Sequence, residues 1–180
     1  MNKKVFENPL IKDRVTVLES AEETGGDYLL LQVELEAGGG NAWHYHTSFA
    51  EEFTAVEGTL GIGVNKKQVL LKPGQKAVAH IGQVHRFYNP GREKILFHVK
   101  LVPGNTGFLQ TLGIAYGLAA DGLTNKKGIP KKLDHLACVW ELSDTRLTGF
   151  LSLITPFLLR RAKRARKKGI QKMLLEKYCQ

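Results

Sequence analysis

His44 and His46 stand one residue apart in the stretch GGNAWHYHTSFAEEFTAVEGTL, residues 39 to 60, and two carboxylates, Glu51 and Glu52, follow closely. In an extended strand side chains alternate between faces, so both imidazoles leave one face and Tyr45 the other. Imidazole nitrogen with carboxylate oxygen suits a divalent first-row metal ion. Taken alone, the pair is equally well described as two solvated imidazoles on a half-exposed strand. A zinc-finger-like cluster has no support, because Cys138 and Cys179 are the chain's two cysteines and lie far from the histidines. A metal reading therefore needs a further ligand from a distant strand. The stretch PGQKAVAHIGQVHRFYNPG, residues 73 to 91, offers His80 and His85, with turn glycines at Gly74 and Gly82 and with Asn89 four residues after His85.

Those residues need elements to carry them, and up to about residue 103 the chain reads as strands. DRVTVLES and DYLLLQVELEAG are β-branched or apolar runs joined by EETGGD, and TLGIGV and KQVLLKPG flank a short connection at Asn65-Lys66. In KILFHVKLV, Ile95, Phe97, Val99 and Leu101 alternate with Leu96, His98, Lys100 and Val102. Short antiparallel strands separated by glycine turns predict a sandwich or a closed barrel. After Pro103 and Gly104 the spacing turns helical, in TGFLQTLGIAYGLAADGL, KKLDHLACVWELSD and TPFLLRRAKRARKKGIQKMLLEKY. The last stretch reads as one helix, with Thr155 as N-cap and Pro156 at the first helical position.

A length of 180 residues suits one ordinary core with an appendage. Few cysteines, a polar N-terminal stretch and no apolar run of membrane-spanning length predict a cytoplasmic protein. The net charge of +9 is unevenly placed. Residues 1 to 159 hold 17 Lys and Arg against 16 Asp and Glu, whereas residues 160 to 180 hold 9 against 1. The basic excess thus belongs to the tail and says little about the histidines. EAGGGNAWH joins two strands and opens no helix, so it is not a phosphate loop.

With both clusters in view, the pattern resembles the two signature motifs of the cupin superfamily. Gly38, His44, His46, Glu51 and Gly58 fill every fixed position of the first motif, and Gly74, Gly82, His85 and Asn89 those of the second, except that His80 stands in the place of a turn proline. The resemblance covers roughly residues 13 to 103, and the 15 residues between Gly58 and Gly74 suit compact single-domain members. It implies a mainly β fold, a double-stranded β-helix or jelly-roll barrel of the RmlC-like kind over residues 1–103, with a C-terminal α-helical extension over 104–180. It further implies a divalent metal held by His44, His46, Glu51 and His85. Strand parity does not separate Glu51 from Glu52; the family's spacing to Gly58 selects Glu51. Fe or Mn is favoured and Ni, Cu or Zn compatible, with two open positions on an octahedral ion for substrate or dioxygen. The leading functional expectation is an oxygenase-type enzyme, a metal-dependent dioxygenase acting on a small organic substrate in the barrel. The competing ones are a non-catalytic small-ligand binding or sensor protein and a sugar isomerase or epimerase. Family members often pair through their strands, which implies a homodimer.

Phe53 and Phe87 share the parity of Glu51 and His85 and are candidates for cavity lining, though ordinary barrel core describes them better. His98 is a weaker one, better described as an ordinary wall residue. His80 is expected at a rim or turn, His135 and Cys138 as structural residues, Cys179 as a tail thiol, and Trp43 has the wrong parity for the cavity. In the tail, Leu158, Ala162, Ala165, Gly169 and Met173 form an apolar stripe, with Arg160, Arg161, Lys163, Arg164, Arg166, Lys167, Lys168 and Lys172 over the rest. The expectation is a helix packed on the barrel with a solvated cationic face, in preference to membrane contact, and no nucleic acid.

Overall fold

A computed structural model of the chain describes residues 4–8, 10 and 13–180, leaving the side chains of residues 150 and 151 undescribed. The described residues form two antiparallel sheets and four α-helices. The strands are β1 (Val5–Asn8), β2 (Asp13–Glu19), β3 (Leu29–Leu35), β4 (His44–His46), β5 (Ala50–Glu57), β6 (Leu60–Val64), β7 (Lys67–Leu71), β8 (Lys76–Ala79), β9 (His85–Tyr88), β10 (Ile95–Val102) and β11 (Thr145–Leu147). One sheet has the order β1-β2-β3-β10-β5-β8 and the other β11-β4-β9-β6-β7. The chain crosses repeatedly between the two, as a jelly roll requires.

Alternation decides what lies between the sheets. On β3, β5 and β10 every second residue is buried: Leu29, Leu31, Val33 and Leu35; Glu51, Phe53 and Ala55; Ile95, Phe97, Val99 and Leu101. Burying an aliphatic or phenyl side chain contributes about 1.5–3 kcal/mol, so this inner layer fixes strand register. The turns carry the motif glycines, with Gly38, Gly58, Gly74 and Gly82 all at positive φ. At Gly58 the constraint is double, since φ is +76° and a Cβ would stand 2.6 Å from Ile95 Cγ2. Asn89 is buried and bonds three ways: its amide donates to the Leu35 and Glu93 carbonyls, and its Oδ1 accepts from the Gly91 N–H. That ties the end of β9 to the end of β3. The departure at His80 also has a local reason, because its backbone N–H donates to Gln83 Oε1, a bond that a proline could not make.

The C-terminal part contains α1 (Thr106–Ala120), α2 (Leu133–Leu142), a 3-10 helix (Gly149–Ile154), α3 (Thr155–Lys167) and α4 (Ile170–Tyr178). Three sequence expectations are corrected here. The segment after residue 103 is not helical throughout, since β11 pairs with β4 and extends the second sheet. The last helix is two helices, broken at Gly169 with φ +73°. Thr155 is the first residue of α3 and not its cap; the 3-10 helix runs straight into α3, so the chain is already turning at Ile154. The break also re-aims the apolar stripe. Leu158, Ala162 and Ala165 are buried, but against α2 and the neighbouring helices and not on the barrel as expected, while α4 buries Leu174 and leaves Met173 48% exposed.

Candidate metal centre

His44 and His46 start and end β4, and His85, which opens β9, is the register partner of His44. Glu51 reaches the same point from β5 in the opposite sheet. All four are buried, and one ligand atom from each falls within 4.8 Å of the others. The imidazole centroids are 4.8 Å apart for His44 and His46, 4.4 Å for His44 and His85, and 5.3 Å for His46 and His85. Glu52 points away and pairs with Lys76 at 2.8 Å, so alternation along β5 turns Glu51 inward.

Each imidazole is oriented through its far nitrogen. His44 Nδ1 donates to the Ala42 carbonyl at 2.8 Å, His85 Nδ1 to the Gln83 carbonyl at 2.8 Å, and His46 Nδ1 to the Asp144 carbonyl at 3.4 Å. With the proton on Nδ1, each ring offers Nε2 as a ligand. Whether the residues fit a metal is answered by His46, whose Nε2 is buried with no hydrogen-bond partner. Buried nitrogens are rarely left so, and a cation at the centre of the four residues would satisfy it. The donor set of three imidazoles and one carboxylate could therefore hold a divalent ion, which would supply Lewis-acid or one-electron chemistry.

Electrostatics separates the four groups. Burial lowers the His44 pKa to about 4 against the opposing pull of Glu51, and burial lowers His46 as well. His85 goes the other way: burial disfavours its charge, but the hydrogen bond and charge of Glu51, 2.9 Å from His85 Nε2, outweigh it and raise the pKa. Glu51 is lowered, its burial being overcome by His85 first and then by the other imidazoles. Without a metal, Glu51 and His85 thus form a buried ion pair that contributes between the lowered Glu51 pKa and the raised His85 pKa. It fails below the first by protonation and above the second by deprotonation. A metal must displace the proton on His85 Nε2. Metal uptake should therefore release about one proton below the raised pKa, and apparent affinity should fall about tenfold per pH unit of acidification there. Calorimetric titration in buffers of different ionisation enthalpy measures that proton; no release would contradict the pairing.

The surroundings of the cluster are aromatic on two sides. Phe53 lies 6.1 Å from the His85 ring and 6.2 Å from Phe87, which in turn lies 5.2 Å from Phe97. On the other side Phe49 stacks on His46 at 4.2 Å, and Phe108 of α1 meets Phe49 at 5.7 Å and His46 at 6.0 Å. His98 does not join them. It stands on the opposite face of β10 from Phe97 and Val99, beside Gln32 and Thr54, because the strand is regular there. Trp43 is also outside the cluster, with Arg86 stacked over its ring at 4.9 Å. His80 is exposed, and His135 is buried on α2 apart from the four. Burial pushes the Cys138 thiol up to about 11, which leaves it neutral.

Asp144, Phe49 and Phe108 are the neighbours that sequence reasoning missed. The Asp144 carboxylate accepts from the backbone N–H groups of Thr47 and Ser48 at 2.7 and 2.8 Å and from both hydroxyls at 2.7 and 2.8 Å. Arg146 neutralises it at 3.2 Å. These bonds fasten the loop between His46 and Glu51 to β11. No signal local to residue 144 announces a partner 97 residues earlier.

Residues 31–100 match the family described as Cupin domain. Those residues are a cupin domain. Among solved structures, an RmlC-like cupin from Shewanella frigidimarina is 13% identical with a TM-score of 0.51, over 59% of this chain and 89% of that one. A predicted oxalate decarboxylase from Thermotoga maritima is 22% identical (TM-score 0.48; 51% and 80% of the two chains). A sugar phosphate isomerase of the cupin superfamily from Silicibacter pomeroyi is 19% identical (TM-score 0.49; 56% and 71%). At these identities the likeness concerns the cupin fold alone. No curated protein matches the chain. No helix among the described residues is long and apolar enough to cross a membrane.

Proposed function

We propose that this cupin domain is a metal-dependent enzyme of the oxygenase type that acts on a small organic substrate. His44, His46, Glu51 and His85 are its metal ligands, and Fe(II) or Mn(II) is the ion. The observation that carries the reading is the set of three Nε2-presenting imidazoles and one carboxylate, the orphaned Nε2 of His46 among them, inside a wall of phenyl rings. These four residues would hold the ion, and Fe or Mn bound there would supply oxygen chemistry. The protein's own part is positional. Three backbone carbonyls hold the imidazoles, Glu51 balances charge, and Phe49, Phe53, Phe87 and Phe108 exclude water from the cluster. Such a wall favours a substrate with an apolar body over a sugar phosphate, for which no cation lies among these four rings.

The test is oxygen uptake by protein loaded anaerobically with Fe(II), against panels of small aromatic and aliphatic acids and thiols. Substrate-dependent uptake that is absent from the His46→Ala variant is the expected result. Stoichiometric metal with no turnover across those panels would favour a non-catalytic binding protein.

A further inference from the structure

The cations of the C-terminal helices divide into two sets. Arg161 pairs with Asp134, Arg166 with Glu141 at 3.2 Å, Lys172 with Glu176 at 3.7 Å and Lys177 with Asp121 at 2.7 Å. Arg160, Lys163, Arg164, Lys167 and Lys168 have no carboxylate partner among the described residues, and all five are exposed. At 3.6 residues per turn, Arg160, Lys163, Arg164 and Lys167 occupy the half of α3 opposite Leu158, Ala162 and Ala165, with Lys168 at its margin. Phe157 belongs to that same outward half and is 54% exposed. One turn earlier, in the 3-10 helix, Leu153 is 69% exposed and Ile154 39%.

Such a combination is not what a solvated helix face requires. Packing explains Leu158, Ala162 and Ala165, but not a phenyl ring and two aliphatic side chains left in water at the entry to a cationic face. The body of the chain is electrically balanced, so the charge is local to this element. A partner for it must be extended, anionic at the surface and apolar just beneath. We propose that the outer face of α3, with Leu153, Ile154 and Phe157 as its apolar edge, docks this protein on an anionic lipid bilayer. The cations sit at headgroup level and the three apolar side chains enter the acyl boundary, α3 lying in the interface plane. The surface is independent of the metal centre, which faces the barrel interior.

Each basic side chain near an anionic bilayer strengthens binding about fivefold at low salt. Cosedimentation of the full-length protein compares vesicles of phosphatidylcholine alone with vesicles of phosphatidylcholine and phosphatidylglycerol in equal parts. The expected result is binding to the anionic vesicles only, declining as salt is raised because exposed charges are screened over about 8 Å at physiological ionic strength. The triple variant Arg160→Glu, Arg164→Glu, Lys167→Glu should lose binding by more than about a hundredfold, and Phe157→Ser should weaken it at unchanged charge. All four altered side chains are exposed, so wild-type melting and metal content are expected in both variants. No binding to anionic vesicles at low salt would overturn the proposal. So would equal binding to both vesicles, or binding indifferent to Phe157→Ser and competed fully by duplex DNA, which would assign the face to nucleic acid.

Discussion

Substituting His85→Ala should reduce divalent-metal affinity by more than the roughly 10–100-fold typical of losing an outer partner, because a ligand itself is removed. His80→Ala should leave affinity unchanged. His80 is exposed on the turn before β9, and only its backbone N–H and carbonyl are in use, bonded with Gln83. His85 carries two jobs at once, facing Glu51 with Nε2 and the Gln83 carbonyl with Nδ1. Its removal also leaves Glu51 as a buried carboxylate with its nearest partner gone. The metal-free variant should consequently be less stable by about 3–5 kcal/mol, the usual cost of orphaning one member of a buried pair. Competitive metal titration and denaturant unfolding of both variants separate the two effects.

The second large effect is expected at Asp144→Ala, far from the cluster in sequence. The carboxylate holds two backbone N–H groups and two hydroxyls in the loop between His46 and Glu51, while the Asp144 carbonyl faces His46 Nδ1. Charge-assisted hydrogen bonds contribute about 1.5–3 kcal/mol each and are not additive, so the loss should be about 2–4 kcal/mol. Metal affinity should fall about 10–100-fold as His46 and the loop lose their register. Asp144→Asn, which keeps one acceptor and tolerates the positive φ of 49°, should lie between wild type and Ala. Stability loss with unaltered metal affinity would show that β11 closes the sheet without positioning His46.

Legibility in the sequence followed the range of the interactions. The four clustered residues were readable because each motif is local: His44 and His46 share one strand face, and the turn glycines at Gly38, Gly58, Gly74 and Gly82 require the positive φ they adopt. Glu51 over Glu52 needed the family spacing, since the bend through Thr47 and Ser48 hides strand parity. His98 lies off the more apolar face of β10, the side that alternation with Ile95, Phe97, Val99 and Leu101 already suggests. β11 was invisible. Thr145–Leu147 is three half-buried residues whose strand conformation exists only because β4 lies beside it. The break at Gly169 carried a signal in the glycine itself, but the basic residues on either side continue a helical pattern across it. Phe108 likewise shows helical spacing and nothing of its position over His46.

A single divalent ion held between the two sheets by His44, His46, Glu51 and His85 is the centre of the proposed function. Crystals of the protein loaded with Mn(II) or Fe(II), with diffraction recorded on either side of the metal absorption edge, test it most directly. The expected result is one anomalous peak at about 2.0–2.2 Å from Nε2 of His44, His46 and His85 and from a Glu51 carboxylate oxygen. A stoichiometric metal bound elsewhere, at His80 for example, or a loaded crystal with Glu51 and His85 still hydrogen-bonded and no peak between them, would contradict it.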